Sequence, residues 1–159
     1  MSDMHQVLMN AAYDRWQKHD DWSYEHMLAH CSAHERMAVL LGNFNYQIGN
    51  GGWSQWVDNG YATSAGEVAT CLELIGTEAA KTALEFLRRL EPHLGDAKVS
   101  KGFVGDGDYW AYEEEEDGDG RFGHEGYEVA ESMCSPYYEI SGQLMADINE
   151  YFEKEQAAC

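Results

Sequence analysis

The sequence predicts an all-α fold: a compact bundle of about six helices with an acidic, glycine-rich insertion before the last helix. Apolar residues recur at spacings of three and four along most of the chain, which is the period of a helix with one buried face. Only two of the 159 residues are proline, so long uninterrupted helices are allowed. Because this length suits one core, we expect one domain over residues 1–159.

Three helices are predicted in the first third of the chain. Apolar side chains between residues 3 and 19 form one stripe of an amphipathic helix, and a short second helix follows over residues 24–30. Ser32 and Glu35 have the spacing of a capping box, in which each side chain accepts a hydrogen bond from the other residue's backbone N–H. This pair predicts the start of a third, well-buried helix.

Glycines predict where the third helix ends. The consecutive glycines within residues 50–52 allow the left-handed backbone that terminates helices, so the helix should stop there. Residues 53–57 should form one short helical turn that ends at residues 59–60. Ser64 with Glu67 predicts a second capping box, which would open a fourth helix.

The fourth and fifth helices are separated by a short junction. Gly76 should end the fourth helix, and Thr77 should cap the fifth. The fifth helix should run to Glu91, because the residue before Pro92 is biased away from helical backbone.

Composition changes after the fifth helix. We predict an acidic insertion over residues 96–128, in which residues 99–103 and 109–112 either pair as a weak hairpin or belong to an irregular loop. The last helix is predicted to start at Ser135, because serine is a common N-cap and the following Pro136 is tolerated at the first helical position.

Net charge is the unusual feature of the chain: ten Lys and Arg oppose 29 Asp and Glu, which leaves −19. Nucleic acid and anionic membrane surfaces would repel such a chain, so we expect direct binding to neither. The expected partners are basic proteins or cations. The alternative is that the acidity only keeps the protein soluble.

The acidic residues are concentrated in residues 104–131, where eleven carboxylates oppose one arginine for a net charge of −10. Aromatic residues, among them Tyr109 and Trp110, are interleaved with these acids, which favours an interaction surface over a solvated loop. We predict that the partner-binding carboxylates are Asp106, Asp108, Glu113, Glu114, Glu115, Glu116, Asp117, Asp119, Glu125 and Glu128. Asp147 and Glu150 in the last helix could extend this surface.

Motifs for metal binding and catalysis are weak. A calcium loop read from Glu115 lacks the glutamate at position twelve, and one read from Asp117 lacks the glycine at position six. His26, His30 and His34 have helical spacing, but a new helix begins between the last two, so no metal site is predicted. No nucleophile has a local base and no phosphate loop is present, so we expect neither a cofactor nor an enzymatic activity. A cation-binding protein stays an alternative.

The cysteine spacing and the N-terminal residues indicate the cellular compartment of the protein. The four cysteines are far apart in the sequence and contain no CxxC pair, which indicates free thiols and a reducing environment. The N-terminal residues lack the basic start and apolar run of a signal peptide, and no window is apolar enough to cross a bilayer. We therefore expect a cytoplasmic protein.

The segment from residue 45 to residue 60 resembles the signature of the DNA-mimic-protein-19-like domain family. In that family an Asn-Gly-Gly-aromatic-x-Gln-aromatic segment follows a helix, and the matching residues here are Asn50, Gly51, Gly52, Trp53, Gln55 and Trp56. The resemblance spans about residues 35–155, interrupted by the acidic stretch. The motif is expected to be structural, because its glycines fit a helix end and its tryptophans fit anchors in the core.

The resemblance implies an all-helical protein that can form a homodimer. The best-understood member of the family mimics double-stranded DNA. The resemblance implies that this chain is a DNA mimic that blocks the basic surface of a transcription factor, a nuclease, or a phage or host defence complex. An immunity-type inhibitor of a basic toxin would use the same electrostatics, and it stays the alternative.

Overall fold

The computed structural model of the protein describes residues 3–18, 24–95 and 123–158. These residues contain six α-helices and no strand, which confirms the predicted all-α bundle. The helices are α1 (Met4–Trp16), α2 (Tyr24–Ala29), α3 (Ala33–Asp58), α4 (Ala65–Ile75), α5 (Glu78–Leu90) and α6 (Gly123–Ala157), and short 3-10 helices occur at Tyr61–Ser64 and Glu91–His93. The predicted hairpin lies outside the described residues.

Helices α3 and α6 form the centre of the bundle. α3 packs against α1, α4 and α6, while α5 packs against both α4 and α6. The largest fully buried side chains come mainly from these central helices and from α5. α6 therefore has one face in the core and leaves its opposite face to solvent.

The capping box at the start of α3 is confirmed. Ser32 Oγ accepts from the backbone N–H of Glu35 at 3.3 Å, and Glu35 Oε2 accepts from the N–H of Ser32 at 2.8 Å. Arg15 from α1 donates to both carboxylate oxygens of Glu35, with Nη1 lying 2.7 Å from Oε1. The Arg15 guanidinium is the main cause that lowers the pKa of Glu35 to about 2.

Replacement of this carboxylate should change how stability depends on pH. A depressed folded pKa contributes stability that is fully present above the ordinary value of 4.5 and is lost as pH falls through about 2. Glu35→Gln keeps the capping box but removes the charge, so it should lower the free energy of unfolding by about 1–2 kcal/mol at pH 7. Urea titrations of both proteins should show this difference shrinking between pH 4.5 and 2.5, and an unchanged difference would contradict the assignment.

The junction between α4 and α5 is confirmed, whereas the second capping box is wrong. Gly76 has φ of 67° and ends α4, and Thr77 Oγ1 accepts from the N–H of Ala80 at 3.3 Å. Ser64 makes no capping hydrogen bond, because its backbone at φ −95° and ψ 9° continues a 3-10 turn. An N-cap side chain needs extended backbone to reach the free N–H groups of the first turn.

The predicted break at residues 50–52 is present as a kink within α3. Gly51 and Gly52 have non-helical backbone, and Gly52 lies at φ 78° and ψ −177°. Gln47, which precedes the kink, accepts through Oε1 from Gln55 Nε2 and Asn59 Nδ2, both at 2.8 Å. These side chains tie the last turns of α3 to the helix before the kink.

The kink directs an aromatic pair into the core. Trp53 and Trp56 are at most 1% exposed, and their rings meet edge to face with centroids 6.4 Å apart. Phe44 contacts both rings, and Tyr137 from α6 lies 5.4 Å from the Trp53 ring centroid. Edge-to-face pairs of this kind stabilise a core beyond their buried area. The cluster therefore joins the end of α3 to the middle of α6.

The predicted start of the last helix at Ser135 is wrong. α6 begins at Gly123 and continues for 35 residues with Pro136 inside it. Proline removes one backbone hydrogen bond within a helix. Helical backbone persists because Met133 and Tyr137, on either side of the proline, are fully buried against the bundle. The last residues of the predicted insertion, 123–128, therefore belong to α6.

Candidate acidic surface

The predicted partner-binding carboxylates fall into two groups. Glu125 and Glu128 are exposed in the first turns of α6. The other eight lie outside the described residues, and they are Asp106, Asp108, Glu113, Glu114, Glu115, Glu116, Asp117 and Asp119. The structure thus places two of the ten on α6. Most of the other acids of this helix were not among the predicted partner-binding carboxylates.

One side of α6 carries a series of carboxylates, which we call the α6 acidic face. At 100° per residue they cover roughly 160° of the helix circumference, opposite the side that is buried in the core. None of these residues is buried. The face consists of Glu125, Glu128, Glu131, Glu139, Asp147, Glu150 and Glu153.

The length of the α6 acidic face follows from helix geometry. Between Glu125 and Glu153 the helix rises about 42 Å, or about 6 Å per carboxylate. Duplex DNA carries one phosphate per roughly 3.4 Å of axis on each strand, and one turn spans about 34 Å. The face is therefore longer than one turn of duplex DNA, with about half the charge density of one strand.

Few positive charges neutralise this face. The eight acidic residues of α6 are opposed by one basic residue of the helix, Lys154, so the formal net charge of α6 is −7. Lys154 Nζ lies 2.5 Å from Glu150, and His124 Nε2 lies 3.2 Å from Glu128. Among the described residues, no lysine or arginine pairs with Glu131 or Glu139. Those carboxylates are available to an external cation.

Four glutamates elsewhere in the bundle are paired with bases, and they are Glu35, Glu67, Glu73 and Glu78. Glu67 on α4 receives two hydrogen bonds from Arg36, both at 2.7 Å. Glu73 lies 2.7 Å from Arg88, and Glu78 on α5 lies 2.7 Å from Lys81. The Arg36 guanidinium is the main cause that lowers the pKa of Glu67. Among the described residues, Arg15, Arg36, Lys81 and Arg88 are thus paired with acids outside α6.

Hydrogen bonds hold α6, which carries the acidic face, to the rest of the bundle. Tyr137, on the buried side of α6, donates from its hydroxyl to Asn45 Oδ1 at 2.8 Å. Asn149 Oδ1 accepts from the backbone N–H of His5, which links the start of α1 to α6. Two acids are also oriented within the helix, because Gln143 donates to Asp147 at 2.7 Å and Asn149 Nδ2 donates to Glu153 at 3.4 Å. Carboxylates held in this way need little further ordering when a partner binds.

The described residues give little support to the cation-binding alternative or to a reactive thiol at Cys71. These contain no group of three or more His, Cys, Asp or Glu side chains arranged to hold a metal ion. The rings of His26 and His30 lie 4.2 Å apart at the end of α2, and His34 is on α3, as predicted from the helix break. Burial raises the pKa of the Cys71 thiol to about 11, so this thiol is protonated near neutral pH.

Comparisons with known proteins give one result. The family model described as DMP19-like protein matches residues 29–155, which is most of the chain, and it confirms the resemblance found in the motif at residues 45–60. Searches of curated proteins and of solved structures found no significant match. No helix in the described part of the chain combines the length and apolar character needed to span a bilayer.

Proposed function

The chain belongs to the DMP19-like protein family, and on that premise we propose that it is a DNA mimic that occupies the basic DNA-binding surface of a protein and excludes DNA. The observation that carries the proposal is the α6 acidic face, where seven carboxylates extend over about 42 Å with one lysine among them. The partner is a DNA-binding protein or nucleoprotein complex.

The physical basis is charge replacement. A DNA-binding surface presents Lys and Arg at the spacing of phosphates, and carboxylates on a rigid helix meet these groups with charge-assisted hydrogen bonds. The α6 acidic face supplies about half the charge density of one DNA strand, and the predicted carboxylates from Asp106 to Asp119 supply more. Association is steered by long-range attraction, so affinity falls as salt concentration rises.

Binding is the whole activity in this proposal. Blocking requires neither bond formation nor a cofactor, because a bound carboxylate surface and a DNA duplex compete for the same cations. The carboxylates of the acidic face also repel each other in the isolated protein, and a basic partner relieves that repulsion. The protein therefore acts as an inhibitor rather than as an enzyme.

Charge reversal on α6 tests the proposal. We expect the triple variant Glu128→Lys, Glu131→Lys, Glu139→Lys to bind its partner roughly 100-fold more weakly, because each change removes an attraction and adds a repulsion. The immobilised protein is incubated with host proteins that have been eluted from DNA-cellulose. Retained proteins are then displaced with duplex DNA or with increasing salt, and their affinities are measured for each variant.

A matched control distinguishes the effect of the α6 acidic face from the effect of the net charge. Glu73→Lys, Glu78→Lys, Glu85→Lys changes three exposed glutamates on α4 and α5, so both triple variants move the formal charge from −19 to −13. We expect the control to keep most of the affinity. Equal losses in the two variants would remove the α6 acidic face from the mechanism. Retained proteins that duplex DNA does not displace would instead favour an immunity-type inhibitor.

A further inference from the structure

His5 is a histidine buried where α1 packs against the two central helices. It is 4% exposed, and its ring faces the ring of Phe152 on α6 with centroids 6.3 Å apart. Its Nε2 lies 3.0 Å from the carbonyl oxygen of Ala38 on α3. A Cβ added to Gly42 would lie 2.8 Å from this Nε2, so the ring fits because position 42 is glycine. The His5 ring therefore contacts both α3 and α6.

These contacts fit a neutral imidazole. A carbonyl oxygen only accepts hydrogen bonds, so Nε2 carries the proton of the neutral ring. Nδ1 has no hydrogen-bond partner among the described residues, so a second proton would add a charge that no protein acceptor meets. Burial is the largest cause that lowers the pKa of His5 below its ordinary value of 6.5. Protonation therefore favours a state in which the ring meets water.

The position of His5 in α1 has two further electrostatic effects. Its neighbour Asp3 attracts a charged ring, but burial outweighs this attraction. The Asp3 carboxylate also caps α1 by accepting from the backbone N–H of Gln6 at 3.2 Å. His5 is the second residue of the helix, where the positive end of the helix dipole disfavours a cation.

Titratable groups on the helices that pack against the ring have other partners. On α3, His34 contacts the same Phe152 ring from a centroid distance of 6.4 Å, and its Nε2 lies 3.7 Å from Glu155. On α6, Glu153 accepts from Asn149 Nδ2 at 3.4 Å. These carboxylates are therefore engaged away from the His5 ring.

The other end of α1 is held by contacts that persist in mildly acidic solution. Arg15 binds both carboxylate oxygens of Glu35, whose pKa of about 2 keeps this pair charged. The Tyr13 hydroxyl donates to Asn43 Oδ1 at 3.2 Å. In addition, α1 lies outside the residues 29–155 that match the family model, so the bundle shared by the family does not include it.

We propose that residues 4–10 of α1 form a pH-sensitive arm, which opens from α3 and α6 when His5 takes up a proton while the other end of the helix stays attached. Above 6.5, the ordinary pKa of histidine, the ring is neutral in the packed and the open arm, so pH does not favour opening. As pH falls below 6.5, the ring of the open arm binds a proton before the buried ring does. The packed state then loses stability until pH falls below the lowered pKa of the buried ring.

Opening of this arm reaches the α6 acidic face. The backbone N–H of His5 donates to Asn149 Oδ1 at 3.2 Å, and the Nδ2 of the same asparagine donates to Glu153. Release of the arm frees Asn149 and thereby loosens the carboxylate at the end of the face. The arm itself does not rest on the proposed function.

Hydrogen exchange of single backbone amides tests the arm in the full chain. Nuclear magnetic resonance follows the amides of residues 7–10 and those of α5 at about pH 7.5 and about pH 5, with rates corrected for the intrinsic pH dependence of exchange. We expect the opening equilibrium constant of residues 7–10 to rise roughly tenfold at the lower pH, and to exceed that of α5. Equal opening constants in the two sets would mean that the whole bundle opens together, and this would overturn the proposal.

Two histidine variants identify the group that titrates. His5→Gln keeps an N–H that can donate to the Ala38 carbonyl but takes up no proton, so residues 7–10 should open equally at both pH values. His34→Gln is the matched control and should keep the wild-type response, because His34 contacts the same Phe152 ring but has a side chain that is 43% exposed. A His5 variant with the wild-type response, or a His34 variant without it, would contradict the assignment to His5.

The wild-type chain provides a test that needs no variant. The ring C–H signals of His5 should titrate below 6.5, and the opening of residues 7–10 should follow the same pH range. A ring that titrates at or above 6.5, or an opening that does not follow it, would refute the arm even if the His5 variant does not fold. None of these measurements involves a partner, so their failure leaves the proposed function standing, and failure of DNA-displaceable capture leaves the arm standing.

Discussion

Replacement of Trp53 by alanine is expected to lower the free energy of unfolding by about 3–5 kcal/mol. The side chain is fully buried and lies among the rings of Phe44, Trp56, Phe86 and Tyr137. Its Nε1 has no hydrogen-bond partner among the described residues, so the loss comes from packing rather than from a broken hydrogen bond. Urea unfolding followed by circular dichroism at 222 nm measures the change.

Two variants make the Trp53 result interpretable. Trp53→Phe keeps an aromatic ring in the same place, so it should lose clearly less stability than alanine and stay folded if alanine does not. Tyr46→Ala removes a 65% exposed aromatic from the same helix and should change stability by about 0.5 kcal/mol or less. If Trp53→Ala cost no more than Tyr46→Ala, the aromatic cluster would not be the anchor between α3 and α6.

Replacement of Gly52 by alanine is expected to cost about 2–4 kcal/mol. Gly52 lies at φ 78° and ψ −177°, a region that residues with a side chain rarely adopt. A Cβ there would also lie 2.9 Å from Cys134 Sγ on α6, which is closer than normal packing allows. Both effects act on the kink that turns Trp53 inward, and urea unfolding measures their sum.

A nearby glycine and a double mutant separate the two causes. Gly49 has ordinary helical φ, and a Cβ added there would meet no other atom within 4 Å, so Gly49→Ala should stabilise the protein by about 0.5–1 kcal/mol. In a Cys134→Ala background, Gly52→Ala should cost less because the sulfur contact is gone, but the backbone cost should stay. A neutral Gly52→Ala in both backgrounds would contradict the kink geometry.

Local features of the fold could be predicted because they depend on neighbouring residues. The capping box at Ser32 and Glu35 and the junction at Gly76 and Thr77 each arise from hydrogen bonds within a few residues. The break at Gly51 and Gly52 belongs to the same class. Ser64 is the exception. Its backbone conformation is determined by the preceding 3-10 turn, and the spacing of Ser64 and Glu67 does not predict that turn.

The course of α6 could not be predicted from local signals. A Ser-Pro pair is typical of a helix start, yet Pro136 lies inside α6. Met133 and Tyr137, on either side of the proline, are buried in the bundle, where α6 packs against α3 and α5. Packing against distant helices outweighs the loss of one backbone hydrogen bond. The mistaken start at Ser135 also hid the spacing of Glu125, Glu128 and Glu131, which was the available signal for the acidic face.

The sequence by itself determined the helical class, the sign and size of the charge, and the family motif, since composition and short-range spacing carry this information. Only the tertiary structure decided which carboxylates share one face of α6, and that bases such as Arg15 and Arg36 pair with acids elsewhere. These arrangements depend on which helices bury their apolar faces against each other, and that choice is made by the whole core.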